Sequence, residues 1–375
     1  MFIRTFHKRS IRYGCVAALF FGIAALMLYW PQALANGVSR GLSVCSTVII
    51  PTLYPFMILS GVLTDSPLCT QPPRFFGALT RRLFRLPPCC GAAILMSLIG
   101  GYPAGALAIG RLYHSGQINV SQARRMTLFC VNGGPGFIVS TVGVGLLGSA
   151  RAGWLLFAAH AATSIGMGLT LARTADTQEE SIDAPRLAAT ARPIAAVVQD
   201  TCGALLTMCG FVLLASAVLS VWEASGVSLW LQRVTGHAAT AFSAAVSALI
   251  EVSCGCIALA GNGRMTPFWL CLCLGWGGLS VQGQLAVALR DPTDRVRLLT
   301  PPFWFGRLLH GVISGGVAVV LFHFIPVDLP TAGQNVSTVP FYTSAAASVM
   351  LVLFSFIAML CFYPKKTGNI SQGML

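Results

Sequence analysis

Few side chains in this sequence can do chemistry inside an apolar environment, and they recur in short groups. Glu251 is the sharpest, some ten residues inside the apolar run that includes Ala248-Leu249-Ile250-Glu251-Val252-Ser253-Cys254-Gly255. A carboxylate at mid-membrane costs roughly 2.5–3.5 kcal/mol on insertion scales, so it must be paired, protonated or lining water. It reads either as a proton- or cation-coupling site or as a buried hydrogen-bonded carboxyl that clamps helices. Arg307 and His310 lie one turn apart near the start of another apolar run. They can partner Glu251 or bind an anion directly, and Arg307 can instead anchor its helix at the headgroups. Ser280, Gln282 and Gln284 follow a glycine cluster, and each buried amide needs partners: a ligand in an unwound stretch, or neighbouring helices in a regular one. Asn132 opens Asn132-Gly133-Gly134-Pro135-Gly136 and is the fourth candidate polar contact. Asp200, with Gln199, sits one turn inside its segment, which suits an interfacial position.

These residues sit beside backbone breaks. Pro51 and Pro55 flank Thr52-Leu53-Tyr54, Gly101 and Pro103 fall in Gly100-Gly101-Tyr102-Pro103-Ala104-Gly105, Pro135 follows Asn132, and Gly277 and Gly278 precede Ser280. Unpaired backbone groups at membrane depth survive only where protein or a polar cavity covers them. Glycine and proline also serve close packing and kinks, but four breaks associated with polar residues point to a cavity. Half-helix N-termini at such breaks carry partial positive charge and suit an anion or a carbonyl-rich ligand.

The elements that must position them are membrane helices. Of 375 residues, 55% are hydrophobic and 9% charged, against about 25% charged in soluble domains. Apolar segments fall near 13–34, 38–63, 89–110, 126–147, 152–172, 194–221, 239–260, 268–289, 308–325 and 341–363. The expected fold is an all-α polytopic membrane protein of about 8–10 transmembrane helices, with two Gly/Pro-broken segments and an internal repeat. Making 89–110 and 268–289 re-entrant leaves eight full spans and puts every Lys and Arg except Arg40, Arg151 and Arg233 on one side, in line with the positive-inside rule. Kinked full spans are the alternative. The repeat reads as a long helix, a Gly-broken segment and a further helix, once over 38–147 and again over 239–325. Matching broken helices in two halves point to the substrate site of secondary transporters. The expected divisions are an N-terminal signal-anchor or transmembrane helix (1–36, cleaved or retained), a first membrane half (37–172), a polar cytoplasmic linker (173–193), a second half (194–325), and a C-terminal helix and tail (326–375). Both termini are then cytoplasmic, in the cell membrane.

Several function classes fall away. No GxxxxGK[ST] or helix-opening GxGxxG string occurs, and no nucleophile elbow or HExxH, so neither a nucleotide-driven nor a hydrolytic enzyme is expected. The net charge of +13 reads as a topology signal, and nucleic acid is not an expected partner. The 13 Cys lie mostly in apolar runs, where they behave as small hydrophobes. The Cys254-x-Cys256 and Cys271-x-Cys273 pairs aim their thiols at different helix faces. No metal, cofactor or disulfide framework is expected.

Six strings, in order from about residue 38 to 325, carry a family resemblance: Val44–Gly61, Gly100–Gly105, Cys130–Ile138, Glu251-Val252-Ser253-x-Gly255, Gly278-Leu279-Ser280-Val281-x-x-Gln284 and Arg307-Leu308-Leu309-His310-Gly311. Together they resemble the sporulation integral membrane proteins of the YlbJ type, which carry nucleoside-recognition (Gate) domains. The resemblance implies that the two halves are Gate-like, in a transporter-like protein of spore-forming bacteria related to the carrier of dipicolinic acid. On that reading the substrate is a small organic anion, with dipicolinate the leading candidate. Asn132, Ser280, Gln282 and Gln284 hold it, Arg307 and His310 compensate its charge, and Glu251 couples protons or shapes the cavity. A non-transporting sporulation scaffold is the alternative, and a nucleoside transporter a weaker one. The bilayer, further copies of the chain and other sporulation membrane proteins are the expected partners.

Overall fold

The computed structural model describes residues 14, 17, 21–22, 24–64, 74–174, 193–235, 238–261, 263–289, 295, 297–327 and 329. The C-terminal segment 341–363, much of the N-terminal segment 13–34 and most of the linker 173–193 lie outside them. Every regular element among the described residues is helical. Hydrocarbon offers no partner for backbone polar groups, and a helix pairs its own. Six helices are long and apolar enough to cross a membrane; the protein is an all-α polytopic membrane protein.

The first long helix is α1 (Pro31–Val44), which passes through a π-turn at Cys45–Ile49 into α2 (Ile50–Thr64). Pro51 and Pro55 do not break it, contrary to the sequence expectation. The π-turn immediately ahead of Pro51 takes up the misfit, and Thr52 Oγ1 donates to Val48 O at 2.7 Å; local π adjustment and hydroxyl bonding are what let membrane helices carry proline. The short helix α3 (Arg74–Phe84) buries Gly77, Thr80 and Phe84 and exposes Phe75. Its C-terminal end is held by Arg125, which donates to the carbonyls of Phe84 and Arg85.

The helix α4 (Cys90–His114) folds back on itself at Gly101, where φ is 79° and ψ −165°. A Cβ on Gly105 would lie 3.0 Å from that of Ser97, whereas residues eight apart on a straight helix are about 12 Å apart. This segment is therefore a re-entrant hairpin. The chain then forms α5 (Val120–Phe129), capped by a reciprocal Asn119–Gln122 pair, unwinds over 130–134, and resumes as a π-helix, Gly136–Leu146. Helix α6 (Ala150–Arg173) returns antiparallel to both pieces, with Gly153 against Gly143 and Gly168 against Phe129.

The second half repeats this order. Helix α7 (Ile194–Ala224) and the short α8 (Val227–Thr235) lead to α9 (Ala238–Ile250) and α10 (Val252–Leu259), with extended backbone at Glu251 between them. A Cβ on Gly255 would lie 2.5 Å from Ala248 Cα, so 239–260 is a second hairpin and not the full span expected. Helices α11 (Thr266–Trp276) and α12 (Gly278–Ala288) meet at Gly277, which is left-handed. Their halves diverge: α11 lies along α13 (Pro301–Phe324), while α12 packs on α4 and α7. Segment 268–289 is thus a kinked crossing, and the expected second re-entrant element is found one segment earlier.

Each half now reads as straight helix, hairpin, interrupted crossing, straight helix. With three crossings per half, the halves run in opposite senses through the membrane. The packing agrees: α1–α2 runs antiparallel to α7 through Gly37–Ser220, Cys45–Cys209 and Gly61–Val197, while α6 packs along α13. Glycine contacts recur at the helix seams, Gly275 of α11 on Gly311 of α13 among them. Small residues let helix backbones approach where no hydrophobic drive operates between them.

Candidate functional site

The four interruptions meet at the centre of the molecule. The tip of the first hairpin touches the unwound strand of the first crossing, since a Cβ on Gly101 would lie 3.1 Å from Gly134 N. The tip of the second hairpin touches the second crossing in the same way, with Gly278 against Glu251 Cα at 3.0 Å. Tyr102 ties the halves together: its hydroxyl donates to Leu274 O at 2.6 Å, one turn before Gly277. The second piece of each interrupted element starts at this centre, so four helical N-termini converge there.

Arg307 lies two turns into α13 and is 1% exposed, with both Nη atoms buried and without a hydrogen-bond partner. Tyr102 is within electrostatic reach of it. The ion pairs found among the described residues join other groups, Arg40 with Glu223 and Arg111 with Asp200, towards opposite ends of α7. The arginine is therefore not a headgroup anchor. Nor does it pair with Glu251, as the sequence allowed. The Glu251 carboxylate caps α10 instead, accepting from Cys254 N at 2.8 Å, because the helix restarts immediately after it and offers free N–H groups.

The polar candidates are all buried, and several keep an atom in reserve. Asn132 donates to Phe129 O and Ser164 Oγ and leaves its Oδ1 unpartnered. Gln282 reaches Trp276 O at 3.5 Å, while its Oε1, that of Gln284 and the Ser280 hydroxyl have no partner. The His310 ring packs against that of His160, with centroids 4.4 Å apart and planes tilted by 33°. His160 was missed in the sequence although it is as solitary in its apolar run as Glu251. It lies beside no glycine or proline break, and what makes it part of the site is a residue far along the chain. Through its Nε2 it accepts from Gly133 N at 3.3 Å, bracing the unwound strand. The same holds for Ser164, which bonds Phe129 O and Asn132.

The arrangement offers one fixed cation, two imidazoles, and hydroxyl and amide groups around a backbone opened at four places. Among the described residues no group of three or more His, Cys, Asp or Glu could hold a metal ion. The chemistry on offer is recognition of a polar, negatively charged solute. Against known proteins, the chain is 29% identical to the sporulation integral membrane protein YlbJ of Bacillus subtilis (strain 168), over 349 residues covering 82% of each chain. The chain is thus similar to the YlbJ type of sporulation membrane protein. No model of a protein family matches it, and no solved structure matches it significantly. Its similarity to YlbJ extends over most of both chains. It makes this an integral membrane protein of a sporulation type.

Proposed function

We propose that this protein is a secondary transporter for a small organic anion in sporulating bacteria, with dipicolinate the leading candidate substrate, and that it catalyses no reaction. The observation that carries this reading is Arg307: a buried guanidinium whose Nη atoms have no partner, set where four interrupted elements meet. Leaving one partner of a buried charge pair without the other costs about 3–5 kcal/mol, a cost that a bound carboxylate removes. Bidentate geometry suits arginine to a carboxylate. The unpartnered atoms of Asn132, Ser280, Gln282 and Gln284 supply orientation. Opposed halves with interruptions at matching places are the architecture on which alternating access is built.

The test is counterflow of labelled dipicolinate into liposomes holding the purified chain, with uridine as competitor. Saturable exchange that uridine leaves untouched is the expected result, and Arg307→Ala is expected to lower it at least about a hundredfold at unchanged protein amount and elution profile. Exchange that survives Arg307→Ala sinks the site, and no exchange of either solute by folded protein sinks the transporter.

A further inference from the structure

The histidine pair has a bonding pattern that fixes its proton count. Gly133 N donates to His160 Nε2, so neutral His160 carries its proton on Nδ1. His310 Nε2 lies 3.2 Å from His160 O; a carbonyl can only accept, so His310 carries its proton on Nε2. That leaves His310 Nδ1 as a buried lone pair with no partner, on a ring one turn along α13 from Arg307.

The groups around it narrow the roles further. From α6 comes His160, from α13 Arg307, from α4 Tyr102, and from α11 Cys271, whose Sγ lies against Leu156 O, and Cys273, which bonds Val252 O. The arginines of α5 are engaged elsewhere, Arg124 at Arg297 O and Arg125 at the end of α3; the π-helix brings no titratable side chain. Among these groups His310 Nδ1 is the base that can gain a proton without giving up a bond already made.

We propose that His310 Nδ1 takes up one proton with each anion bound at Arg307, so that the carrier is a proton–anion symporter. This rests on the anion-carrier reading. The charges balance for a dicarboxylate: two negative charges meet the guanidinium and one imidazolium. A proton from water on the loading side forms the N–H bond at Nδ1. It leaves from there to water on the unloading side as the anion departs, with no change of oxidation state anywhere. His160 is a positioning residue, holding His310 through its carbonyl and the unwound strand through its ring.

The experiment uses proteoliposomes of the full chain, labelled pyridine-2,6-dicarboxylate, and valinomycin with equal potassium on both sides to hold the membrane potential at zero. With the outside one pH unit more acidic, one proton per anion predicts about tenfold accumulation inside. His310→Gln keeps a donor for His160 O and removes the titrating nitrogen; whatever anion it still exchanges is expected to settle at equal concentrations on the two sides. Exchange by the native chain that settles at equal concentrations overturns the proton proposal and leaves the carrier standing. Accumulation retained by His310→Gln also overturns it. No exchange under any gradient overturns the carrier reading and the proposal with it. The measurement on the native chain decides even if the variant fails to fold.

Discussion

Glu251 shows how far a residue type can be read without its neighbours. A carboxylate in an apolar run was legible as a residue under constraint, but its role depends on a bond three residues away that exists only because the helix restarts there. Arg307 and His310 were legible in the same manner, whereas the contact of His310 with His160 spans 150 positions, and no local spacing announces it. The cap makes a prediction. Glu251→Ala is expected to destabilise the protein by about 1–2 kcal/mol, seen as a lowered melting midpoint in detergent, while Glu251→Gln keeps an accepting oxygen and most of that stability. Equal losses in both would mean that the charge itself holds the tip. At Gly101 the backbone angles are ones a side chain rarely adopts. Gly101→Ala is therefore expected to cost about 1–3 kcal/mol, a cost read by the same melting measurement.

At the level of elements, the sequence showed where the backbone is interrupted better than it showed what each interruption does. Gly101, Pro135, Gly277 and Gly278 sit at observed breaks, and all are residues whose backbone chemistry is visible in one dimension. Pro51 and Pro55 carry the same signal, yet the helix absorbs them, since a π-turn and a threonine hydroxyl are available beside them. The second fold-back occurs at Glu251, where neither glycine nor proline marks it. What decides between a fold-back and a kink is whether the halves pack on each other, and that is set by small residues at a distance, Gly255 facing Ala248 and Gly105 facing Ser97. Filling such a seam should be costly: Gly255→Leu, where a side chain would meet Ala248 and Cys273, is expected to destabilise by about 1–3 kcal/mol. Gly203→Leu and Gly210→Leu, on helix positions with open space beside them, should leave the melting midpoint nearly unchanged.

For the whole molecule, two hairpins entering from opposite faces make the repeat an inverted one, and this decides which loops share a side. The loops at 86–88 and 115–119 are expected on one face, and those near Gly148, Gly226 and Gly263 on the other. The first face carries Arg81, Arg82, Arg85, Arg124 and Arg173, so by the positive-inside rule it is expected to be the cytoplasmic one. Single-cysteine labelling of a cysteine-free variant with an impermeant reagent checks this; labelling of 86–88 and 115–119 from opposite sides would restore a full span at 89–110. In α6 and α13, both 24 residues long, a histidine stands ten or eleven residues in, and these two histidines are the ones that meet. One turn before each histidine the match fails, because α6 has Phe157 where α13 has Arg307. The charge therefore sits on one half alone. A site enclosed by two such similar halves thereby acquires a head and a tail, and a solute with one anionic end is expected to enter it in a single orientation.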